Sequence, residues 1–451
     1  MSVADVTVRL KSRWYDWLRD GGFAAEVQAH LLAAPWLVAP ARAGAAGRTR
    51  ALTALTTALR RTRSPGLRAR LEKSIAPFTV GERANVWRDE QIGWSRVADE
   101  TAQPRLVKSL ILKAPQGPNE KGVLYISFEL NWLRLMRHHD LAAILRDYLL
   151  VGASSSSPPD FMSLLALANL STDPAFIQIS NQRDLEWMRI CAPTIVPVDI
   201  MASDWINPDL YHPRPHASRS VDLLMVAGWS RLKAHWLLFR ALREMSTSYR
   251  TVLVGQDMDG RTPDDVWREA KAEGVAKRIE IVRDAPPDLV TSYQCDSRAS
   301  VVLSRREGAS VVVTESLFAD TPVVMMEGAH VGTLRYINKQ TGRLTNKRNL
   351  ARDLTQVVET SSDFRAREWA LANVTAQHST ARLNALLEEY SRKNGKPWTK
   401  DIVPMSWRPD PVYVNDADEK AMQPAYDALH GKHGVFVRNH PPTGFPRHDT
   451  L

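Results

Sequence analysis

Cysteine is nearly absent from this 451-residue chain: only Cys191 and Cys295 occur, far apart and without metal-ligand spacing. That excludes a disulfide framework and a cysteine-rich zinc site, and it fits a reducing compartment. Neither cysteine is assigned chemistry. Long apolar runs are lacking too, and none is long enough to span a bilayer. The start, Met1-Ser2-Val3-Ala4-Asp5, has neither the basic stretch nor the apolar core of a secretory signal. The expectation is a cytoplasmic protein. Apolar content of 44% and charged content of 24% are those of a soluble globular chain. The length predicts two or three domains.

Acidic residues are scarce at one end. Residues 1–80 hold 13 Lys and Arg against 5 Asp and Glu, a balance of +8 that leaves only +1 of the net +9 for the other 371 residues. Such asymmetry points to an anionic surface met by this segment, whether lipid, nucleic acid or an acidic partner, or else to a solvated basic face. No RNA- or DNA-binding motif accompanies the charge, so nucleic acid is not an expected partner. Leu52, Leu55 and Leu59 recur at helical spacing with Arg48, Arg60 and Arg61 around them, as do Trp14, Trp17 and Leu18. A basic amphipathic helix of this kind lies on an anionic membrane or packs in a small bundle, and the bundle is the commoner outcome. Peripheral contact with the inner face of the membrane is therefore carried as an expectation beside the cytoplasmic one.

From residue 106 the pattern changes to short apolar runs. Strands are predicted at 108–112, 122–128, 148–151, 175–179 and 194–198, with helical stretches between several of them. Gly117 and Gly122 flank an expected hairpin. A second alternating set has strands at 222–226, 250–255, 278–282, 299–304 and 321–326. Strands alternating with helices imply mainly parallel sheets covered on both faces. The expected divisions are a helical extension at 1–105, an α/β domain at 106–205, a linker at 206–220, a second α/β domain at 221–360, and a helix with a proline-rich, irregular tail at 361–451 packing back on the protein.

Chemistry concentrates in the second domain. Glu307 and Glu315 lie eight positions apart where the strand at 299–304 hands over to a helix expected at 310–320. A carboxylate at such a junction lies near the carboxyl edge of a parallel sheet, where open α/β folds bind ligands. Eight helical residues rise about 12 Å, enough to reach separate parts of a nucleotide-sugar.

An ordered set of features carries a resemblance. Val226-Ala227-Gly228-Trp229-Ser230-Arg231-Leu232-Lys233 joins a strand, a basic loop and a helix; Val254-Gly255 ends the next strand; the glutamate pair, Pro322-Val323-Val324, Gly328 and Gly332 come after it in order. Residues 221–345 resemble the donor domain of family 4 (group 1) retaining glycosyltransferases of GT-B fold. The resemblance implies two Rossmann-like domains facing a cleft, with the acceptor on the 106–205 side and a nucleotide-sugar donor on the other. It implies that Lys233 and Arg231 hold the donor diphosphate, although Ser230 could stand in the place of Arg231. It implies that Glu307 grips donor-sugar hydroxyls and supports charge at the anomeric carbon, and that Glu315 accepts hydrogen bonds from the ribose. Gly308, Ala309 and Ser310, leading into a helix, are candidates for contacts to sugar or phosphate oxygens. No metal and no cofactor are expected.

The first domain matches less well. It lacks a clear glycine-rich strand-to-helix loop. His138 and His139 read as a surface pair, and Glu129 and Asn131, just past a strand end, are weak cleft candidates. The acceptor is not assigned: a glycan, a lipid-linked molecule and a small molecule all fit. A non-catalytic GT-B scaffold that binds sugar-nucleotides or glycans is the main alternative. A sugar-nucleotide epimerase or a phosphorylase shares the scaffold, and a nucleic-acid-modifying enzyme ranks last.

Overall fold

Two sheets of short Val-, Ile- and Leu-rich strands organise the chain in this computed structural model, which describes residues 3–15, 22–38, 45–76, 105–127, 129–153, 161–192, 194–408 and 410–445. The chain divides into two compact units: Gly22–Ala202 with Gln377–Leu451, and Met1–Gly21 with Ser203–Ala376. Helix α1 (Val3–Tyr15) belongs to the second unit. Helices α2 (Gly22–Val38), α3 (Ala45–Arg61) and α4 (Pro65–Ile75) pack together in the first. Leu52, Leu55 and Leu59 are buried among them, so this stripe closes a helical bundle and does not face a membrane. Trp17 and Leu18 lie outside the described residues.

The first unit continues through β1 (Arg105–Leu106), β2 (Ser109–Lys113), β3 (Gly122–Ser127), α5 (Glu129–His138), α6 (Leu141–Asp147), β4 (Tyr148–Ala153), α7 (Phe161–Leu170), β5 (Ala175–Gln178), α8 (Gln182–Cys191) and β6 (Ile195–Val198). Its sheet runs β2-β3-β4-β5-β6. β2 and β3 form the expected antiparallel hairpin, and every other neighbour is parallel. Every residue of β2, β3 and β5 is buried, as strands covered on both faces require.

The second unit contains β7 (Val221–Val226), α9 (His235–Glu244), β8 (Thr251–Gly255), α10 (Pro263–Ala272), β9 (Ile279–Arg283), α11 (Pro287–Cys295), β10 (Ser297–Val302), β11 (Arg306–Glu307), α12 (Val311–Phe318), β12 (Val323–Met326), β13 (His330–Val331), β14 (Gly342–Thr345), α13 (Leu350–Glu359) and α14 (Ala366–Asn373). Its six-stranded sheet runs β14-β12-β10-β7-β8-β9, parallel throughout. The order reverses between β7 and β10, making that pair the topological switch point of a doubly wound sheet. α13 shows why such helices form here: Leu350, Leu354, Val357 and Val358 recur on one face and are buried. On this unit Arg9 of α1 donates to the Ala272 carbonyl (2.9 Å) and pairs with Glu273 (3.4 Å).

The chain then returns to the first unit in α15 (Ala376–Lys393). The proline-rich tail beyond α15 is not irregular, contrary to the expectation from its composition. β15 (Met405–Arg408) and β16 (Asp410–Tyr413) form a hairpin, α16 (Asp416–His433) runs 18 residues, and β17 (Phe436–Val437) pairs with β1. The prolines obscured this because they sit mainly at ends and edges, and Pro424 is accommodated inside α16. The tail covers the open edge of β2: Val403 N donates to Leu112 O (2.8 Å), the Tyr413 hydroxyl to Ile111 O (2.7 Å), and Ile111 N to the Tyr426 hydroxyl (3.1 Å). An uncovered strand edge would invite pairing with other chains.

One buried ion pair fastens this arrangement. Lys113 Nζ lies 2.5 Å from Glu120 Oε1 with both side chains excluded from solvent, and sits 3.3 Å from the centre of the Trp398 ring. Glu120 also accepts from Thr399 N (2.8 Å) and Thr399 Oγ1 (2.7 Å). Burial works against its ionisation, but Lys113 and the two Thr399 donors outweigh burial and hold the carboxyl at about 2, below its ordinary 4.5. A depressed carboxylate pKa contributes stability that is complete above the ordinary value and lost as pH falls through the folded one. Thermal unfolding followed by circular dichroism should therefore show a midpoint that drops as pH falls from about 4.5 toward 2, with a flatter profile in Glu120→Gln. Lys113→Ala, which strands the buried carboxylate, should cost about 3–5 kcal/mol at neutral pH.

Candidate functional site

The loop after β7 is braced from the neighbouring strand. Ala227 N donates to Val254 O (2.8 Å) and Trp229 N to Gln256 O (3.0 Å). Gly255 permits this approach: a Cβ there would collide with the Ala227 carbonyl oxygen and lie 2.9 Å from the Trp229 ring. Ser230 Oγ donates to Asp259 Oδ2 (2.5 Å) and caps Leu232 N (3.2 Å). Arg261 Nε donates to Trp229 O (2.8 Å), and its Nη1 pairs with Glu269 at 2.9 Å. A single 3-10 turn, Arg231–Lys233, comes next. Ala234 then takes a left-handed conformation, φ 57°, before α9 begins. Such a conformation costs a non-glycine residue about 1–3 kcal/mol and clusters at ligand sites.

His235, the first residue of α9, is buried with its ring 5.7 Å from that of Trp229. Burial, then the charges of Arg261 and Lys233, push its imidazole down to about 3, so it stays neutral beside the basic turn.

The chain leaving β10 supplies the opposite charge. β11 pairs in parallel with β13, and Gly332 N donates to Gly308 O (2.9 Å). Lys233 Nζ donates to Glu307 Oε1 at 2.5 Å, joining residues 74 positions apart. Both side chains are partly exposed, at 23% and 15%. The two therefore meet beyond the carboxyl ends of β7 and β10, at the switch point. Arg231 lies half-buried on the same 3-10 turn as Lys233.

Glu307 belongs to a strand, and this corrects the helical span expected between the glutamates. Residues 306–307 are held by β13, and α12 begins only at Val311, so a rise of 12 Å along one helix does not separate Glu307 from Glu315. Gly308 and Ser310 are buried and Ala309 is half-buried. Ser310 is the N-cap of α12, and its side chain makes no capping bond. Glu315, on α12, accepts from Gln294 Nε2 (3.0 Å) and from the Tyr211 hydroxyl. Burial raises its carboxyl above the ordinary range, with those two bonds opposing.

Three contributors escaped the sequence. Tyr211 comes from the stretch read as a linker, and Gln294 from a helix end. The Asp259–Arg261 brace carried no motif, although its loop comes after a strand that ends in glycine. In the first unit Asn131 is not a ligand-facing residue: its amide bonds Val107 O (2.6 Å), Ser127 O (2.5 Å) and Val107 N (3.2 Å), tying α5 to the end of β3 and to the link between β1 and β2. The side chain of Glu129 lies outside the described residues. His138 and His139 are half-buried, and His139 Nδ1 lies 3.3 Å from His433 O of α16. Among the described residues no three His, Cys, Asp or Glu side chains converge as a metal site, and no helix is long and apolar enough to cross a membrane.

Residues 220–361 match the family model described as Glycosyl transferases group 1. Among solved structures the chain is similar to sucrose-phosphate synthase from Thermosynechococcus elongatus, with 14% identity, a TM-score of 0.47, and coverage of 74% of this chain and 81% of that one. It is similar to HepE from Anabaena, solved with UDP and glucose, with 14% identity, a TM-score of 0.48, and coverage of 59% and 78%. WaaG, a glycosyltransferase involved in lipopolysaccharide biosynthesis, is similar at 14% identity with a TM-score of 0.38 over 49% of this chain and 70% of that one. No curated protein matches the sequence.

Filling the space at Gly255 tests the brace. Gly255→Ala should destabilise the protein by about 3 kcal/mol, because backbone and a buried indole must both move. Chemical denaturation measures the loss.

Proposed function

We propose that this chain, whose residues 220–361 form a group 1 glycosyltransferase domain, transfers a sugar from a nucleotide-sugar donor with retention at the anomeric carbon. The observation that carries the reading is the Lys233–Glu307 pair at the switch point of the parallel sheet. A donor must have its diphosphate neutralised and its sugar hydroxyls held while the bond between anomeric carbon and phosphate oxygen breaks. Lys233 and Arg231 sit on one turn and offset the charge that grows on the leaving oxygen, a preorganised electrostatic effect. The backbone of Gly308, Ala309 and Ser310, entering α12, adds N–H donors at the positive end of the helix dipole.

Glu307 takes sugar hydroxyls and supports the oxocarbenium character of the anomeric carbon. An ionised carboxylate suits that task because it only accepts and can take two hydroxyls at once. With no donor bound, Lys233 and Glu307 neutralise each other. In this reading the donor enters between them, its diphosphate on the lysine and its sugar on the glutamate. Glu315 accepts from the ribose. Gln294 and Tyr211 hold it in place, which supports a fixed orientation. The cations of the basic turn supply the charge, and the reading assigns neither a metal nor a cofactor. The acceptor is a glycan, a lipid-linked molecule or a small molecule, and the cationic amino-terminal segment favours work at an anionic membrane surface.

Lys233→Ala and Glu307→Ala should each lower turnover about 10²–10³-fold with the circular dichroism spectrum unchanged. Product formation is measured across UDP-, GDP- and ADP-sugars with a panel of acceptors, and calorimetry follows binding of the three diphosphates. Unchanged turnover in either variant removes that residue from the mechanism. Diphosphate binding with no transfer or donor hydrolysis across the panel would favour a sugar-nucleotide-binding scaffold instead.

A further inference from the structure

Helix α2 has an unusual composition for its position. Its 17 residues include only three polar side chains, Glu26, Gln28 and His30. A helix that is apolar all round is ordinarily enclosed. Here one face is enclosed: Ala25, Ala29 and Ala33 are buried in the bundle with α3 and α4. The other is open. Phe23 is 75% exposed, Val27 40% and Leu31 70%, at successive i, i+4 spacing. They line a groove of about 410 Å³ with Glu26, His30 and Ala34. A second groove of about 430 Å³ continues along the helix, bounded by His30, Ala34, Leu37, Leu67 and Arg70.

Cations frame this apolar face. Arg70 stands exposed at the rim of the second groove, and exposed Arg63 lies just past the end of α3. The carboxylate on the face, Glu26, is already engaged by Thr62 Oγ1 (2.5 Å) and the Arg63 amide (2.8 Å). Residues 22–76 contain nine Arg and Lys against two Glu. Two such faces from two copies of the chain would bring like charges together. A nucleic acid would satisfy the arginines and leave Phe23 and Leu31 in water. An anionic bilayer satisfies both, taking the apolar stripe among its acyl chains and the arginines at its phosphates.

We propose that the open face of α2, framed by Arg63 and Arg70, docks the protein on an anionic lipid surface by inserting Phe23, Val27 and Leu31. The proposal does not rest on the donor site, and it is tested without nucleotide or sugar. Full-length protein is sedimented with phosphatidylcholine vesicles and with vesicles in which about one lipid in three is phosphatidylglycerol. Binding should be at least about tenfold tighter to the anionic vesicles and should weaken as salt is raised. Phe23→Ser with Leu31→Asp changes two exposed positions and should cut vesicle binding about tenfold or more while leaving the fold intact. Arg63→Glu with Arg70→Glu should remove the preference for phosphatidylglycerol. Equal binding to both vesicle types, no binding, or wild-type binding by the Phe23/Leu31 variant would overturn the proposal. So would light scattering that shows a dimer lost in that variant, since a second copy would then be the occupant.

Discussion

The parallel pairing of Val221–Val226 with Ser297–Val302 is the constraint on which the second unit's chemistry depends. Strands added on either side of this pair wind in opposite directions, so the connections that leave its two carboxyl ends turn to opposite faces. A crevice results from the winding itself. Into it the two connections deliver groups of opposite charge, Lys233 from one and Glu307 from the other, joined at 2.5 Å. The site is therefore assembled by topology before any single side chain is chosen. Much of the surrounding polar structure keeps the first connection in place: Asp259 on Ser230, Arg261 on the Trp229 carbonyl, and a glycine where any Cβ would collide.

The two glutamates occupy different electrostatic settings. Glu307 faces a lysine and keeps partial access to solvent. Glu315 has neutral partners in Gln294 and Tyr211, and burial raises its carboxyl. Equivalent by sequence, they are suited to different tasks. One can exchange an ion pair for a charged ligand; the other is a fixed hydrogen-bonding group with little competing charge.

The first unit is held by a different device. The antiparallel β2 would leave a long hydrophobic edge, and the chain covers it with its own carboxyl-terminal segment, clamped through Lys113, Glu120 and Thr399. Burial makes this pair costly to break, while the Lys113 and Thr399 bonds that hold the Glu120 carboxyl ionised make its contribution disappear on protonation. The helical bundle before it resolves an ambiguity in the sequence: Leu52, Leu55 and Leu59 face inward, and the exposed apolar stripe belongs to α2 instead.

The alternation of apolar strands with helices, the order of basic turn and glutamates, and the glycine that ends β8 were legible in the sequence because each is a local pattern tied to backbone geometry. So was the hairpin of β2 and β3, whose connecting turn holds Gly117 at a positive φ of 73°. The placement of Glu307 on a strand was not legible, since a two-residue pairing with His330–Val331 leaves no periodicity. Tyr211 and Gln294 took their roles from Glu315 on another element, Asn131 was claimed by the backbone of Ser127 and Val107, and the proline-rich tail gained its helix and strands by packing. Composition and spacing determined which elements form and which charges lie near strand ends. Only the tertiary structure decided which charges meet, which apolar face stays open and which edge is covered, because those depend on contacts between segments that carry no local signal of one another.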